Sequence, residues 1–182
     1  MKKKFLVFLL LASIFVPQSL KAQKVGVSTN FAAWGTYLSP NLGLEVGLCK
    51  KLTLELDGIY NPFSFANDTK THLWALQPEL RYYTRYRFTG HFFGLEGHYA
   101  MYDWGVSKYR YKGDLFGGGF SYGYAWMFAE RWNLEGVIGL GFTHMRYDQK
   151  YDRHDPYICY GPGSENIIGL SRLGIKLTYL IF

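Results

Sequence analysis

Beyond its first two dozen residues, the sequence lacks any apolar run of the roughly 20 residues that a membrane-spanning helix needs. It also lacks an early cysteine that would carry a lipid anchor, because the first cysteine is Cys49. Once the lysines of its N-terminal segment are set aside, it has no strong excess of charge of one sign. These absences argue against a helical membrane protein and against a lipoprotein, and nothing in the charge points to nucleic acid as a partner.

The N-terminal segment has the pattern of an export signal. Three lysines at positions 2–4 precede an apolar run from Phe5 to Val16, and a polar stretch then ends at Ala22. We therefore predict a cleaved signal peptide over residues 1–22 and a mature domain over residues 23–182. Cleavage removes four of the 20 basic residues, which leaves 16 basic residues against 14 acidic ones.

The sequence is rich in aromatic residues and glycine, with 16 Tyr, 14 Phe, 5 Trp and 21 Gly. This combination, without a hydrophobic helix, is unusual for a soluble enzyme. It is ordinary for a membrane barrel built from strands, because aromatic side chains form girdles at both membrane surfaces.

Alternation of period two runs through most of the mature chain and predicts eight strands. In each strand, large apolar side chains alternate with glycine, small polar residues or isolated charges. The predicted strands cover residues 25–33, 42–48, 52–57, 74–82, 93–99, 116–126, 132–142 and 172–181. Short links at about 49–51, 85–90 and 128–131 alternate with long links at about 61–72, 102–113 and 145–169, and a tight turn surrounds Ser39–Asn41.

The second face of these strands decides between two kinds of β-protein. In a soluble sandwich, that face meets water and carries many long charged side chains. Here it consists mainly of small residues and isolated charges, which suit the crowded interior of a narrow barrel, while the large apolar set faces lipid. We predict an all-β, eight-stranded antiparallel up-and-down transmembrane barrel with short periplasmic turns and longer outer loops. A soluble periplasmic sandwich or a lipocalin-like carrier is the alternative, and the terminal Phe182 favours the barrel.

The inward face of the predicted barrel carries charges of both signs. In a narrow lumen, carboxylates close to Arg and Lys form a hydrogen-bonded ion network that fills the interior. We predict such a structural network, with a proton path or a narrow pore as the alternative. Its predicted members are Glu45, Glu55, Asp57, Glu79, Arg81, Glu96, His98, Glu135, Arg172 and Lys176.

Two patterns suggest hydrolysis but lack the context that it requires. Gly119–Gly123 fits the G-x-S-x-G motif of a nucleophile elbow, which needs a strand, a sharp turn and a helix. Unbroken alternation instead places Ser121 in the middle of a strand, facing the lumen. A deacylase-like lipid-modifying enzyme is the second functional hypothesis, with His144 and Ser107 as its candidate pair, although the His-x-Ser spacing of such enzymes is absent.

Two further groups lie in the links. Asp148, Asp152 and Asp155 have a spacing that suits Ca²⁺, but the segment lacks the glycine and the bidentate glutamate of a calcium loop. We therefore predict no metal ion and no cofactor. Cys49 and Cys159 fall on opposite sides of the predicted membrane band, which is about 25 Å tall. A disulfide needs Cα atoms within roughly 7 Å, so we predict two free thiols.

Six segments carry a resemblance to a known family and together span nearly all of the mature chain. They are Pro40–Leu48, Tyr60–Phe63, Gln77–Tyr83, Gly90–Phe92, Ser121–Tyr124 and Arg131–Glu135. The chain resembles an uncharacterised family of outer-membrane barrels, a domain of unknown function from Gram-negative gut and oral anaerobes that is often encoded near fimbrial genes. The resemblance implies the barrel fold and the outer membrane, with no assigned activity. Membrane lipids including lipopolysaccharide, and a surface or fimbrial protein, are the expected partners.

Overall fold

The structure is a computed structural model that describes residues 25–35, 39–62, 64–65, 69–106, 109–152 and 159–181. The predicted signal peptide, Ser107, Asp155 and Phe182 lie outside the described residues. Within them, the chain is almost entirely β-strand. No described helix is long and apolar enough to cross a membrane.

Eight long strands and two short ones make up the fold, together with one described helical turn. The long strands are β1 (Val25–Asn30), β2 (Asn41–Gly47), β3 (Leu52–Asn61), β5 (Thr69–Tyr83), β6 (Gly90–Val106), β7 (Tyr109–Ala129), β8 (Trp132–Asp152) and β10 (Gly163–Ile181). The short elements are β4 (Ser64–Phe65), β9 (Cys159–Tyr160) and the helix α1 (Phe31–Gly35).

The eight long strands form one antiparallel sheet whose pairing closes on itself. Each strand pairs with its neighbours in chain order, and β10 pairs with both β8 and β1. Val25 lies opposite Ile181 at the closure, and Trp132 lies opposite Tyr179 on the other side of β10. The predicted count of eight antiparallel strands is confirmed, and none of the eight is left with an open edge along its whole length.

The two faces of the sheet differ in the way that the alternation predicts. Outward side chains are large and apolar: Phe120 is 74% exposed and Ile168 is 86% exposed. Inward side chains include fully buried charged residues such as Arg81 and Glu135. The polar face is therefore the buried one, which is the reverse of the usual arrangement in a soluble protein.

Three tight turns lie at one end of the sheet, which we call the short-turn end. They cover residues 48–51, 84–89 and 130–131, close to the predicted short links. At the opposite end, two predicted long links are mostly strand. β6 and β7 stay paired out to Val106 and Tyr109, and β8 continues to Asp152. The prediction of loops there was wrong because the alternation of apolar and polar residues in the sequence ends before the backbone pairing does.

The end of the first predicted strand is also different in the structure. Phe31 and Ala33 were predicted to continue β1, but they lie in α1. The side chain of Asn30 explains the change, because its Oδ1 accepts a hydrogen bond from the backbone N–H of Ala32 at 3.0 Å. This contact is a helix N-cap, which competes with continued strand pairing.

Candidate functional site

A cluster of charged side chains fills the middle of the space enclosed by the sheet. The structure brings together nine of the ten predicted interior residues, which we call the interior charge cluster. Its members are Glu45, Glu55, Asp57, Glu79, Arg81, Glu96, Glu135, Arg172 and Lys176, all of them buried. They come from β2, β3, β5, β6, β8 and β10, so the cluster connects strands on all sides of the interior.

Arg81 is the centre of the cluster and contacts four carboxylates. Its Nε donates to Glu79 at 2.7 Å, and its Nη1 donates to both Glu45 and Glu135 at 3.1 Å. Its Nη2 pairs with Glu55. The planar guanidinium has donors along its whole edge, so one side chain can bind acceptors on several strands.

A second pair of cations lies beside Arg81. Arg172 donates to Glu55 at 2.7 Å and also pairs with Asp57. Lys176 donates to Glu55 at 2.8 Å and pairs with the same aspartate. Glu55 therefore accepts hydrogen bonds from Arg172 and Lys176 and forms an ion pair with Arg81, so it joins the two halves of the cluster.

A β-bulge in β10 places two consecutive side chains inside. The register between β10 and β8 shifts between Leu170 and Arg172, with Ser171 as the extra residue. Ser171 donates to Glu96, and Arg172 reaches the carboxylates of β3, so both point inward. Leu170 and Leu173 remain exposed on either side. A bulge re-aims side chains in this way, and the change of phase between the two leucines is its signal in the sequence.

His98 is the predicted interior residue that stands apart from the charges. Its Nε2 lies 2.9 Å from Thr143 Oγ1, and the ring is only partly buried. The site therefore continues toward the far end as a hydrogen-bonded pair of His98 and Thr143. The His98 ring leaves no room for a side chain at position 117, because a Cβ at Gly117 would lie 2.6 Å from His98 Nε2.

The described interior residues carry an excess of negative charge. Six carboxylates face three cations, which leaves three negative charges in formal excess. Oxygens of Glu45, Glu55 and Glu135 lie within 4.8 Å of one another, a spacing that suits a metal ion. The guanidinium of Arg81 bonds to all three, so this side chain already supplies the positive charge at that point.

Fully buried apolar side chains close the interior at the short-turn end, and we call them the apolar cap: Tyr83, Phe88, Phe92 and Leu180. The rings of Tyr83 and Phe92 lie 5.2 Å apart, and the Arg81 guanidinium lies 4.6 Å from the Phe92 ring. Tyr83 also donates to Glu45 at 2.9 Å. The cap therefore packs directly against the interior charge cluster.

Phe88 reaches the cap through an uncommon backbone conformation. Its φ is 63°, in the left-handed region that non-glycine residues seldom adopt. Asn133 holds the turn by donating from Nδ2 to the Phe88 carbonyl at 2.7 Å. The sequence-based interpretation missed the cap because it searched the inward positions for charge. The alternation along β6 was the available signal, because Phe92 lies on the same face of the strand as Gly94 and Glu96.

The motifs that suggest hydrolysis lie in strands. β7 runs through Gly119–Gly123, and Ser121 faces the interior, where it donates to Glu79. The predicted position of Ser121 in mid-strand is confirmed. His144 lies in β8, with Nδ1 2.6 Å from Asn166 Oδ1. Of the three aspartates whose spacing suits Ca²⁺, Asp148 and Asp152 lie in β8 rather than in a loop.

The two cysteines lie toward opposite ends of the sheet. Cys49 is an exposed free thiol in the turn at residues 48–51. Cys159 pairs through its backbone with Tyr151, near the end of β8 that is far from the short turns. β8 has 21 residues, so its ends are about 65 Å apart along the strand at roughly 3.3 Å per residue. That separation is far beyond the reach of a disulfide.

Comparison with known proteins assigns a family. The family model described as "Protein of unknown function (DUF3575)" matches residues 5–181. Because the match covers nearly the whole chain, the chain belongs to this family. No curated protein and no solved structure matches it.

Proposed function

We propose that this member of the DUF3575 family is a small outer-membrane β-barrel with a plugged polar lumen. In this proposal, it has a structural or surface-interaction role in the envelope and carries out no catalysis. Residues 1–22 act as its export signal, and membrane lipids including lipopolysaccharide surround it.

The reversal of polarity between the two faces of the closed sheet carries this proposal. Arg81, Glu55 and Glu135 are fully buried, while Leu140, Phe120 and Ile175 are each more than half exposed. In water, this arrangement would expose a continuous apolar surface around the whole molecule. In a bilayer, the same surface is solvated by lipid. The closed strand pairing supplies the hydrogen bonds of the backbone N–H and C=O groups, which lipid chains cannot supply.

The height of the apolar surface fits a membrane. On β7, the outward apolar series runs from Phe116 to Trp126, which is ten residue steps. Ten steps span about 34 Å along a strand, or about 26 Å across a membrane at a tilt of roughly 40°. The outward apolar band of membrane barrels is about 25 Å tall. The matching series on β8 runs from Trp132 to Phe142.

Aromatic residues are present at both limits of this band. At the short-turn end, Trp132 and Tyr179 pack with ring centroids 5.0 Å apart. At the other limit, Trp74 and Tyr99 pack edge to face at 6.2 Å, and Tyr60 pairs with Trp74 across the strands. Between these limits, β8 and β10 carry the exposed aliphatic residues Leu140, Leu173 and Ile175, whereas β7 carries Phe120 and Tyr122. Aromatic girdles at both interfaces are typical of membrane barrels.

The filled interior supports a role other than transport. The interior charge cluster crosses the lumen, and the apolar cap closes its short-turn end. Beyond the band, β7 continues from Phe116 to Tyr109, about 18 Å further at the same tilt. These paired extensions would project from the membrane surface, where a surface or fimbrial protein would contact them.

Heat modifiability tests the proposal. Folded in detergent micelles or vesicles, the protein should migrate faster on a denaturing gel when unheated than when boiled, and boiling should abolish its β-sheet dichroism. A soluble β-protein of the same size, treated in parallel, is the control. A protein that stays folded and monodisperse in buffer without detergent would refute the proposal.

A further inference from the structure

Positive charge is concentrated at the short-turn end of the molecule. The turns at residues 48–51, 84–89 and 130–131 contain five cationic residues and one acidic residue, Glu130. The cations are Lys50, Lys51, Arg85, Arg87 and Arg131, and all but Arg87 are exposed. The strand extensions at the far end differ, because their described side chains carry both signs, as in the ion pair of Arg146 with Asp114.

A cavity of about 300 Å³ opens among these cations. It is lined by Lys50, Tyr86, Arg87, Thr89 and Met127. Lys50 and Arg87 are cationic, Thr89 and Tyr86 each have a hydroxyl group, and the Tyr86 ring and Met127 provide an aromatic and an apolar wall. The volume lies at the lower end of the range for ligand pockets, roughly 300–1,000 Å³. The composition suits a small anionic group that is attached to an apolar body.

Hydrogen bonds between the turns fix the shape of this cavity. The backbone N–H of Arg87 donates to the Lys50 carbonyl at 3.0 Å, and its guanidinium donates to the Cys49 carbonyl at 3.2 Å. Tyr83 N–H donates to the Lys51 carbonyl at 2.8 Å. The Arg87 guanidinium and the backbone of Lys50 are therefore held in place before any ligand arrives, which lowers the entropy cost of binding.

The cavity lies at the depth where lipid headgroups meet the protein. Met127 is the neighbour of Trp126, the last residue of the apolar series on β7, and Phe128 beside it is half exposed. Resting on the proposed membrane location, we propose that this cavity binds the phosphate group of an anionic phospholipid. Lys50 and Arg87 contact the phosphate, and Tyr86 and Met127 contact the glycerol and the upper acyl chains.

Charge complementarity favours an anionic lipid over a zwitterionic one. A zwitterionic headgroup would bring its own ammonium group next to the cations of the three turns. One Lys or Arg near an anionic membrane surface changes binding by about fivefold. Removal of the two cavity cations should therefore weaken retention by more than tenfold.

Native mass spectrometry of the protein released from bilayers tests this proposal. The bilayers contain equal parts of phosphatidylglycerol and phosphatidylcholine, and heat modifiability confirms insertion for each variant. The wild type should retain phosphatidylglycerol preferentially. Lys50→Gln should lose about fivefold of this preference, Lys50→Gln with Arg87→Gln more than tenfold, and Lys50→Arg none. The matched control is Lys112→Gln, which removes an exposed cation at the far end and should leave retention unchanged.

Each alternative outcome has a distinct meaning. Equal retention of both lipids by an inserted wild type, or the same loss in Lys112→Gln, would overturn the lipid site and leave the membrane barrel standing. Displacement of the lipid by millimolar inorganic phosphate would assign the cavity to a soluble phosphate and overturn its lipid assignment. Failure of the wild type to insert would overturn the proposed function, and the lipid site with it.

Discussion

Replacement of Arg81 by Met should be one of the most damaging single changes in this protein. Methionine keeps an unbranched apolar stem but removes the guanidinium that contacts Glu45, Glu55, Glu79 and Glu135. The formal excess of negative charge in the described interior then rises from three to four. Arg81→Met therefore tests whether the interior charge cluster holds the strands together.

The magnitude follows from burial. Removing one partner of a buried ion pair costs about 3–5 kcal/mol, because the remaining charge is left uncompensated. Loss of the contact with the Phe92 ring adds about 0.5–2 kcal/mol. Against a total stability of about 5–15 kcal/mol for a typical domain, we expect the free energy of unfolding to fall by at least 3 kcal/mol.

Glu135→Gln is the matched control because it changes charge in the opposite direction. Glutamine retains an oxygen that can accept from Arg81 or Thr178, and the formal excess falls from three to two. We expect a cost of about 1 kcal/mol or less. In the double variant, Glu135→Gln should recover part of the loss caused by Arg81→Met, with a coupling energy of about 0.5–3 kcal/mol.

Urea unfolding in lipid vesicles, followed by tryptophan fluorescence, measures these differences. An equal dependence of the free energy of unfolding on urea concentration would show that the variants unfold from comparable states. A loss of less than 1 kcal/mol for Arg81→Met would refute the reasoning. So would a cost for Glu135→Gln equal to that for Arg81→Met, because charge balance would then not govern stability.

Three further predictions test the packing, the topology and the lumen. Gly119→Ala should destabilise the protein by about 1–3 kcal/mol in the same urea assay, because the new Cβ would lie 2.7 Å from the Cα of Gly141. Gly136→Ala is the control and should be neutral, because no atom lies within 4 Å of its new Cβ. In intact cells, a membrane-impermeant maleimide should label Cys159 and spare Cys49; the reverse pattern would invert the orientation. In planar bilayers the protein should show no steady conductance of porin size, and regular large steps would disprove the plugged lumen.

Much of the fold could be predicted from the sequence because the alternation of side chains is a local property. Large apolar residues alternate without interruption along two segments, and the structure has the predicted strands there. The segments are Phe116–Trp126 and Trp132–Phe142. In β10, Leu180 lies on the opposite face of the strand from Ile175 and Tyr179, and the structure places Leu180 in the apolar cap. Local alternation therefore identified inward positions even where their chemistry was not foreseen.

The rest depended on contacts between distant parts of the chain. The left-handed conformation of Phe88 is supported by Asn133, 45 residues away, which no local pattern indicates. The four contacts of Arg81 require strand register, and register is set across the whole sheet. The sequence predicted that these charges share an interior, but it could not assign particular partners to particular atoms.

The closure between β1 and β10 has a consequence for the order of folding. Val25 pairs with Ile181 across nearly the full length of the chain, and contacts of such long sequence separation form slowly. β10 also pairs with β8. Until the 19 residues of β10 dock, the chain therefore has two strands with an unpaired edge, β1 and β8, and each edge can pair with another molecule. On the proposed route to the outer membrane, a chain stalled at this step would need a chaperone in the periplasm.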